Sequence, residues 1–297
     1  VPTGIVADLK SRKPTVLIGM FIIGMGFIGG ILTPYFIIIM LSQVIWGLGY
    51  TFISGALHAW ISDEVDNKEI EQLMLTGTQY HKLLSVLGMI AAGIIGHYSI
   101  RLAILIAALT FFFLGFFTRF MMKEHPFEKV HENKPLFQAY FGQLKSALFH
   151  VKSSKALLLM IIIMFFFGLF SEGIDRTHEV YILDTLDIRS LSALSPIWFI
   201  SLMNALTSLI GYVFIILVKK FVKSNYYVIA ATTFLTLMMI IGMLIFTFYP
   251  SPYIAVLGFM FFTITRETTH PLLDSIILKS TPSHVKATVL SGFGQLD

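Results

Sequence analysis

Several residues of this chain sit where polar chemistry is costly and therefore informative. Gln43, Trp46 and Asn204 stand inside long apolar runs. Gln43 lies nine residues beyond Pro34 and Asn204 twelve beyond Ser192, ~14 and ~18 Å along a helix axis. Both therefore fall near the middle of their runs, where an amide can hold a polar ligand or tie two helices together. Glu172, Asp175 and Arg176 cluster toward one end of another run. A carboxylate desolvated there takes a proton and loses it when opened to water, while an ion pair with Arg176 is its plainer role. His58 and Asp63 close one run, and Arg266, Glu267 and His270 follow the apolar part of another. Such groups suit a gate of breakable ion pairs, or simply a solvated rim.

The elements that carry these residues are not those of a soluble protein. Of 297 residues 56% are hydrophobic and only 13% charged, against roughly 25% charged in soluble domains, and mean hydropathy is +0.81. Apolar runs recur at 15–32, 34–61, 78–97, 100–121, 155–174, 192–218, 226–248 and 252–268, each near the length that crosses ~30 Å of hydrocarbon. Partial helices are expected at both ends, at Val1 to Ala7 and Val285 to Asp297, which makes ten and suggests a chain cut at both ends. Breaks carry turn residues, as at Gly29, Gly30 and Pro34, and at Tyr249 to Pro252.

Short breaks force neighbouring helices to be antiparallel, so loops alternate between the two membrane sides. Of the 21 Lys and Arg, all but Arg101, Arg176 and Arg189 then fall on one side, including Lys10, Lys68, Lys82, Lys129, Lys134, Lys223 and Arg266. By the positive-inside rule that side is cytoplasmic.

Enzyme signatures are missing. The chain has no Gly-rich phosphate loop ending in Gly-Lys-Ser/Thr, no His-Glu-x-x-His, no metal spacing among nine His, and no Cys. The reading is no enzyme, no cofactor, no metal, no nucleic-acid partner, and no use of ATP.

The polar stretch 122–154 divides the chain into 1–121 and 155–297, two expected helical bundles joined by a cytoplasmic linker. Within the linker Phe137, Phe141, Leu144, Leu148 and Val151 recur at helical spacing. That predicts an amphipathic helix at the membrane surface or against the bundle underside. Polarity also repeats: 15–32, 100–121 and 226–248, every third run, have apolar middles and should face lipid all round. The others carry the polar residues and should surround something wet. A weaker echo is Asp63 nineteen residues before Lys82, and Glu267 nineteen before Lys286. Together these suggest two parallel repeats of six helices, an arrangement common among secondary transporters.

Gly4, Ala7, Asp8, Arg12 and Lys13 form a cytoplasmic loop that resembles the signature of the major facilitator superfamily, with Ser11 where a Gly is usual. The chemistry is legible by itself: a carboxylate at a helix end can bind the free N–H groups of a neighbouring helix N-terminus, while the basic pair holds acidic groups. Leu41 to Gly49 and Ser54 to Glu64 resemble the fourth helix of drug-exporter members. Ser171 to Arg176 resemble the outer end of helix seven, and Pro282 to Ser291 the entry to helix eleven. Two departures stand out: Gln43 replaces a usual Arg, and Gly88 to Gly96 lack the Gly-Pro pair of antiporters, leaving glycines suited only to close packing. The loop at Lys219, Lys220 and Lys223 lacks the signature Gly and Asp, so any clasp there is degenerate.

The resemblance implies an all-α membrane protein with the two-bundle fold, running from the end of helix two to the start of helix eleven. It implies a multi-pass monomer of the plasma (inner) membrane that carries a small molecule by alternating access. Export driven by protons is the first expectation. Import of a nutrient or organic anion, or a non-transporting sensor or scaffold, are the alternatives. Gly4, Asp8, Arg12, Lys13, Asp63, Arg266 and Glu267 would be signature and gating residues. Gln43, Trp46 and Asn204 would hold cargo, and Glu172 beside Arg176 would be the coupling carboxylate.

Overall fold

The computed structural model describes residues 2–9, 11–65, 69–123, 136–186, 196–222, 225–249 and 251–295. Lys10, Lys68, Lys129, Lys134, Arg189, Ser192, Lys223 and Pro250 lie outside the described residues, as does the side chain of Phe137. Among the described residues all regular structure is helical: α1 Pro2–Leu9, α2 Arg12–Leu32, α3 Phe36–Asp63, α4 Ile70–Tyr98, α5 Ile100–Met121 and α6 Leu136–Ser153. Then come α7 Lys155–Val180 with a π-helical turn Tyr181–Thr185, α8 Pro196–Phe221, α9 Asn225–Phe248, α10 Pro252–Lys279, a 3-10 turn Ser283–Val285 and α11 Lys286–Phe293. In lipid a helix satisfies its backbone internally. Hydroxyls along the helices do the same, with Ser42, Thr110, Thr232 and Thr268 each donating to the carbonyl four residues back. Ser99 caps α5 by accepting from the Leu102 N–H at 3.2 Å.

The chain packs as two units. The first comprises residues 1–67, 95–169 and 277–297, and the second 68–94 and 170–276. In the first, α2 lies against α3 through glycines: a Cβ on Gly49 would meet the Gly19 carbonyl at 2.8 Å, and one on Gly26 the Trp46 N at 2.8 Å. Phe112 and Phe21 fill the notches left by Gly24 and Gly115 between α2 and α5. Helices in lipid associate through such small residues because no hydrophobic force drives them together. α2 is therefore packed on two sides and is not the all-round lipid-facing helix its composition suggested. The second unit is centred on Leu75, Ile215, Val222, Val228, Leu235 and Leu272. There Gly242 and Gly258 bring α9 and α10 to backbone contact, each Cβ meeting a backbone N at 2.8 Å.

Among the described residues six helices are long and apolar enough to cross a membrane: α2, α3, α5, α7 with its π turn, α8 and α9. The two other long helices, α4 with 29 residues and α10 with 28, are more polar and fall outside that set. Both are also longer than their apolar runs. α4 begins at Ile70 rather than 78, and α10 continues past 268 through Pro271 to Lys279. Pro271 and the charges before it read as an ending. The N–H that Pro271 lacks would have gone to the Glu267 carbonyl, so the helix is loosened there and not broken.

These extensions correct three expectations. Lys82 is no loop charge but lies twelve residues inside α4, and Arg266 and Glu267 are interior to α10 and not at its cytoplasmic end. The basic asymmetry of the loops survives their removal. The two members of the nineteen-residue echo also fall at unlike places in their helices: Asp63 is the last residue of α3, whereas Glu267 lies twelve residues before the end of α10. Gly88 and Gly96 would place a Cβ in open space, so neither serves close packing.

Candidate functional site

Within the first unit the signature loop grips the start of α11. The Asp8 carboxylate, at the end of α1, accepts from the backbone N–H groups of Ala287 at 3.1 Å and Thr288 at 2.8 Å, and from the Thr288 hydroxyl at 2.7 Å. The first N–H groups of a helix have no intrahelical partner, and a carboxylate suits their positive end. Gly4 and Gly55 admit α11 from α1 and α3: a Cβ on either would lie 2.4 and 2.8 Å from the Ala287 carbonyl oxygen. Arg12 is 1% exposed. It pairs with Asp63 and donates to the carbonyls of Ala59 at 2.7 Å and Ser283 at 2.6 Å. Asp63 also accepts from Ser283 and, at 3.2 Å, from Lys286. Lys13 donates to the Met122 carbonyl at 2.6 Å. The linker helix α6 braces this clasp from below: buried Gln143 bonds the His284 carbonyl and reaches Asp8 at 3.5 Å, and His150 lies 3.0 Å from the Ser280 carbonyl. Ala139, Gln143 and Ala147 form its buried face, while Phe141 and Leu148 point outward.

Asp8 and Lys286 lie outside the six apolar spans, and burial displaces both. It pushes Asp8 up to about 6, opposed by the Thr288 hydroxyl and N–H and by Arg12. It lowers Lys286 to about 8, with Arg12 adding repulsion. Asp8 thus holds a proton more readily in the clasp than when free. Its contribution favours the clasp at low pH and is lost as pH rises through about 6. The chain has no Cys, so a single Cys at buried Ser291 reports clasp opening. Maleimide labelling, normalised at each pH to the unfolded chain, is expected to slow severalfold between about pH 7.5 and about pH 5.

The second unit holds a charge pair that the sequence reading passed over. Lys82 of α4 is 2% exposed and pairs with Glu267 of α10, whose side chain is 42% exposed. Lys82 is twelve residues from the start of α4 and Glu267 twelve from the end of α10, ~18 Å along each helix axis. Gly211 of α8 makes the space: a Cβ there would sit 2.8 Å from Lys82 Cε and Nζ. Next to it Arg266 pairs with Asp175 of α7 at 2.8 Å and lies 5.5 Å over the Phe262 ring. Thr263, Arg266, Glu267 and His270 follow one another at helical spacing and are all partly exposed. Below the pair Gln72, Thr76 and Gln79 continue a polar stripe down α4. Gln72 bonds the last carbonyls of α8 at Lys219 and Val222, and Lys219 donates to Thr76 at 2.7 Å and to Gln79 at 3.3 Å. A second clasp exists after all, built on neutral partners. The stripe 72, 76, 79, 82 was readable in the sequence had α4 been started at Ile70.

The other expected site residues are divided between the two units. Glu172 and Arg176 form an exposed i,i+4 pair at 2.7 Å, with side chains 58% and 79% exposed, as a rim salt bridge would. Gln43 and Trp46 are exposed on α3 in the first unit, seven and ten residues from its start, and half-buried Asn204 lies eight residues into α8 in the second. His270 stands 3.3 Å from Asp274. No group of three or more His, Cys, Asp or Glu that could hold a metal occurs among the described residues.

Comparison with known proteins accords with this arrangement. An uncharacterized MFS-type transporter of Bacillus subtilis (strain 168), YxaM, is 24% identical over 302 residues, covering 98% of this chain and 71% of that protein. The crystal structure of the human organic anion transporter MFSD10 (TETRAN) shares the fold. Its TM-score is 0.74 at 16% identity, covering 99% of this chain and 70% of that one. The sequence model of the Major Facilitator Superfamily matches residues 1–296. A membrane-embedded, all-helical chain with a signature loop capping α11 is thus a secondary transporter and not an enzyme: it belongs to the Major Facilitator Superfamily.

Proposed function

We propose that this transporter is proton-linked and works by alternating access as a monomer in the plasma membrane, its bundles being 1–121 and 155–297. The carrying observation is the Lys82–Glu267 pair. A buried ammonium facing a half-exposed carboxylate deep within the helices is costly to keep unless it is used. Glu267 is placed to take a proton when solvent reaches it and to return to Lys82 when it does not. The coupling role therefore moves from Glu172 to Glu267. Asp8, Arg12, Lys13 and Asp63 form a cytoplasmic gate, here closed, and Arg266 leaves the gate for the coupling site. Gln43, Trp46 and Asn204 remain the cargo candidates.

Export of small amphipathic molecules against protons rests on the likeness of Leu41 to Gly49 and Ser54 to Glu64 to drug exporters. Uptake of an organic anion is a second reading. It is favoured by Lys82 and Arg266, two cations inside helices where the sequence reading had placed none.

Reconstitution into proteoliposomes under an imposed pH gradient tests the proton link, with an amphipathic cation dye and an aryl sulfonate each followed in both directions. Glu267→Gln is expected to lose the gradient-dependent flux by about tenfold or more, whereas Glu172→Gln changes it by less than about threefold. Gradient-driven flux that survives Glu267→Gln removes the pair from coupling.

A further inference from the structure

Resting on the proton-linked reading, we infer that Lys82 is the seat for the acidic end of a small monoanion, which binds together with a proton on Glu267. The argument is one of charge balance at depth. Lys82 is buried to 2% exposure and Gly211 leaves its ammonium no retreat toward α8. Its partner is the one flexible member, with a side chain 42% exposed. Protonation of Glu267 would strand the ammonium in a medium where a lone charge is strongly disfavoured. A carboxylate or sulfonate arriving from the exposed side of Glu267 restores neutrality. The proton and the anion therefore favour each other's binding, and by linkage the effect is reciprocal. A cationic cargo has the opposite problem. It must take Glu267 from Lys82 and leave that ammonium unpaired.

The neighbouring groups support this sign. On α10 Arg266 adds positive potential, with Asp175 of α7 neutralising it at 2.8 Å. His270 is engaged with Asp274, and His81 on α4 lies 3.4 Å from Ser85. On α7 Glu172 is paired with Arg176. On α8 the nearest titratable residue is Tyr212, and the interior of α9 carries no charged residue. With Arg266 balanced by Asp175 and Asp274 engaged with His270, protonation of Glu267 leaves Lys82 without its counter-charge. Anion and proton then cross together, so an inward proton gradient drives uptake.

The test is calorimetric titration of the purified full-length transporter with 2-naphthalenesulfonate near neutral pH, in buffers of different ionisation heat, which counts protons. Binding with uptake of a proton per anion is expected. Glu267→Gln, which imitates the protonated acid, should bind roughly tenfold tighter with no proton uptake. Lys82→Gln should lose at least about a hundredfold in affinity. Should that variant fail to fold, Gly211→Ala, which displaces only the flexible end of Lys82, should weaken binding severalfold with an unchanged melting temperature. No binding of naphthalenesulfonate, or binding indifferent to both Lys82→Gln and Gly211→Ala, overturns the inference. Binding of tetraphenylphosphonium with release of a proton overturns the anion assignment and leaves proton linkage standing. Sulfonate binding without proton uptake, and without response of its accumulation to a pH gradient, overturns both.

Discussion

Arg12→Met is expected to open the cytoplasmic clasp and abolish transport. Arg12 ties three segments at once: Asp63 and the Ala59 carbonyl of α3, the Ser283 carbonyl ahead of α11, and, at 3.7 Å, Asp8. It is 1% exposed, and its loss leaves Asp63, mostly buried, with Lys286 and the Ser283 hydroxyl alone to balance it. Removing one member of such a buried pair costs about 3–5 kcal/mol, and the cost falls on the closed state, because an open clasp exposes Asp63 to solvent. The equilibrium should shift by roughly a hundredfold or more. Labelling of Ser291→Cys in an otherwise cysteine-free chain reads that shift directly, and flux should fall by more than about tenfold. Arg12→Lys keeps the charge but not the fork that reaches two carbonyls and a carboxylate, so it should recover only part of the loss. Labelling unchanged in Arg12→Met would mean that the loop is ordinary topogenic charge.

A comparable effect is expected from Gly4→Val, for a steric reason. The Cβ would sit 2.4 Å from the Ala287 oxygen and 2.8 Å from the Ser291 Cβ. The first is backbone and cannot turn aside. Gly55 of α3 approaches the same patch of α11, with Ala287 O at 2.8 Å and Ser291 N at 3.1 Å, so a bulge at Gly4 displaces α11 from both helices at once. Overpacking of this kind costs about 1–3 kcal/mol, enough for a roughly tenfold to hundredfold rise in Ser291→Cys labelling. Gly88→Val is the matched control, since its Cβ meets nothing within 4 Å, and it should label like the parent. If both variants label alike, α11 is not held by these two glycines.

The clasp was legible in the sequence because its parts are local and chemically unusual. Asp8 with Arg12 and Lys13 at the end of an apolar helix asks for a helix N-terminus and an acid, and α11 and Asp63 supply them. The Lys82 site was not legible, for a physical reason. Polar residues lower local hydropathy, and Glu71, Gln72, Thr76 and Thr78 in α4 and His270, Pro271 and Asp274 in α10 end the apolar runs at 78 and 268. Lys82, Arg266 and Glu267 were thereby assigned to helix ends and loops. For Glu172 the sequence offers two roles, an embedded coupling acid and a rim ion pair with Arg176, and the observed pair has the geometry of the second. An acid at the edge of an apolar run looks buried until its exposure is known, and Glu172 stands in the open beside Arg176.

By itself the sequence determined that the chain is a bundle of membrane helices, where most of them start and stop, that the basic loops fall to one side, and that a carboxylate-and-arginine loop waits for a partner. Those properties follow from hydropathy, turn residues and the distribution of Lys and Arg, which act within one helix or one loop. Only the tertiary structure decided which charges meet: Asp63 with Lys286 and Arg12, Glu267 with Lys82, and Asp175 with Arg266. Partners 51 (Arg12 to Asp63) to 223 residues apart are selected by the faces that glycines allow to approach. No local pattern carries that information.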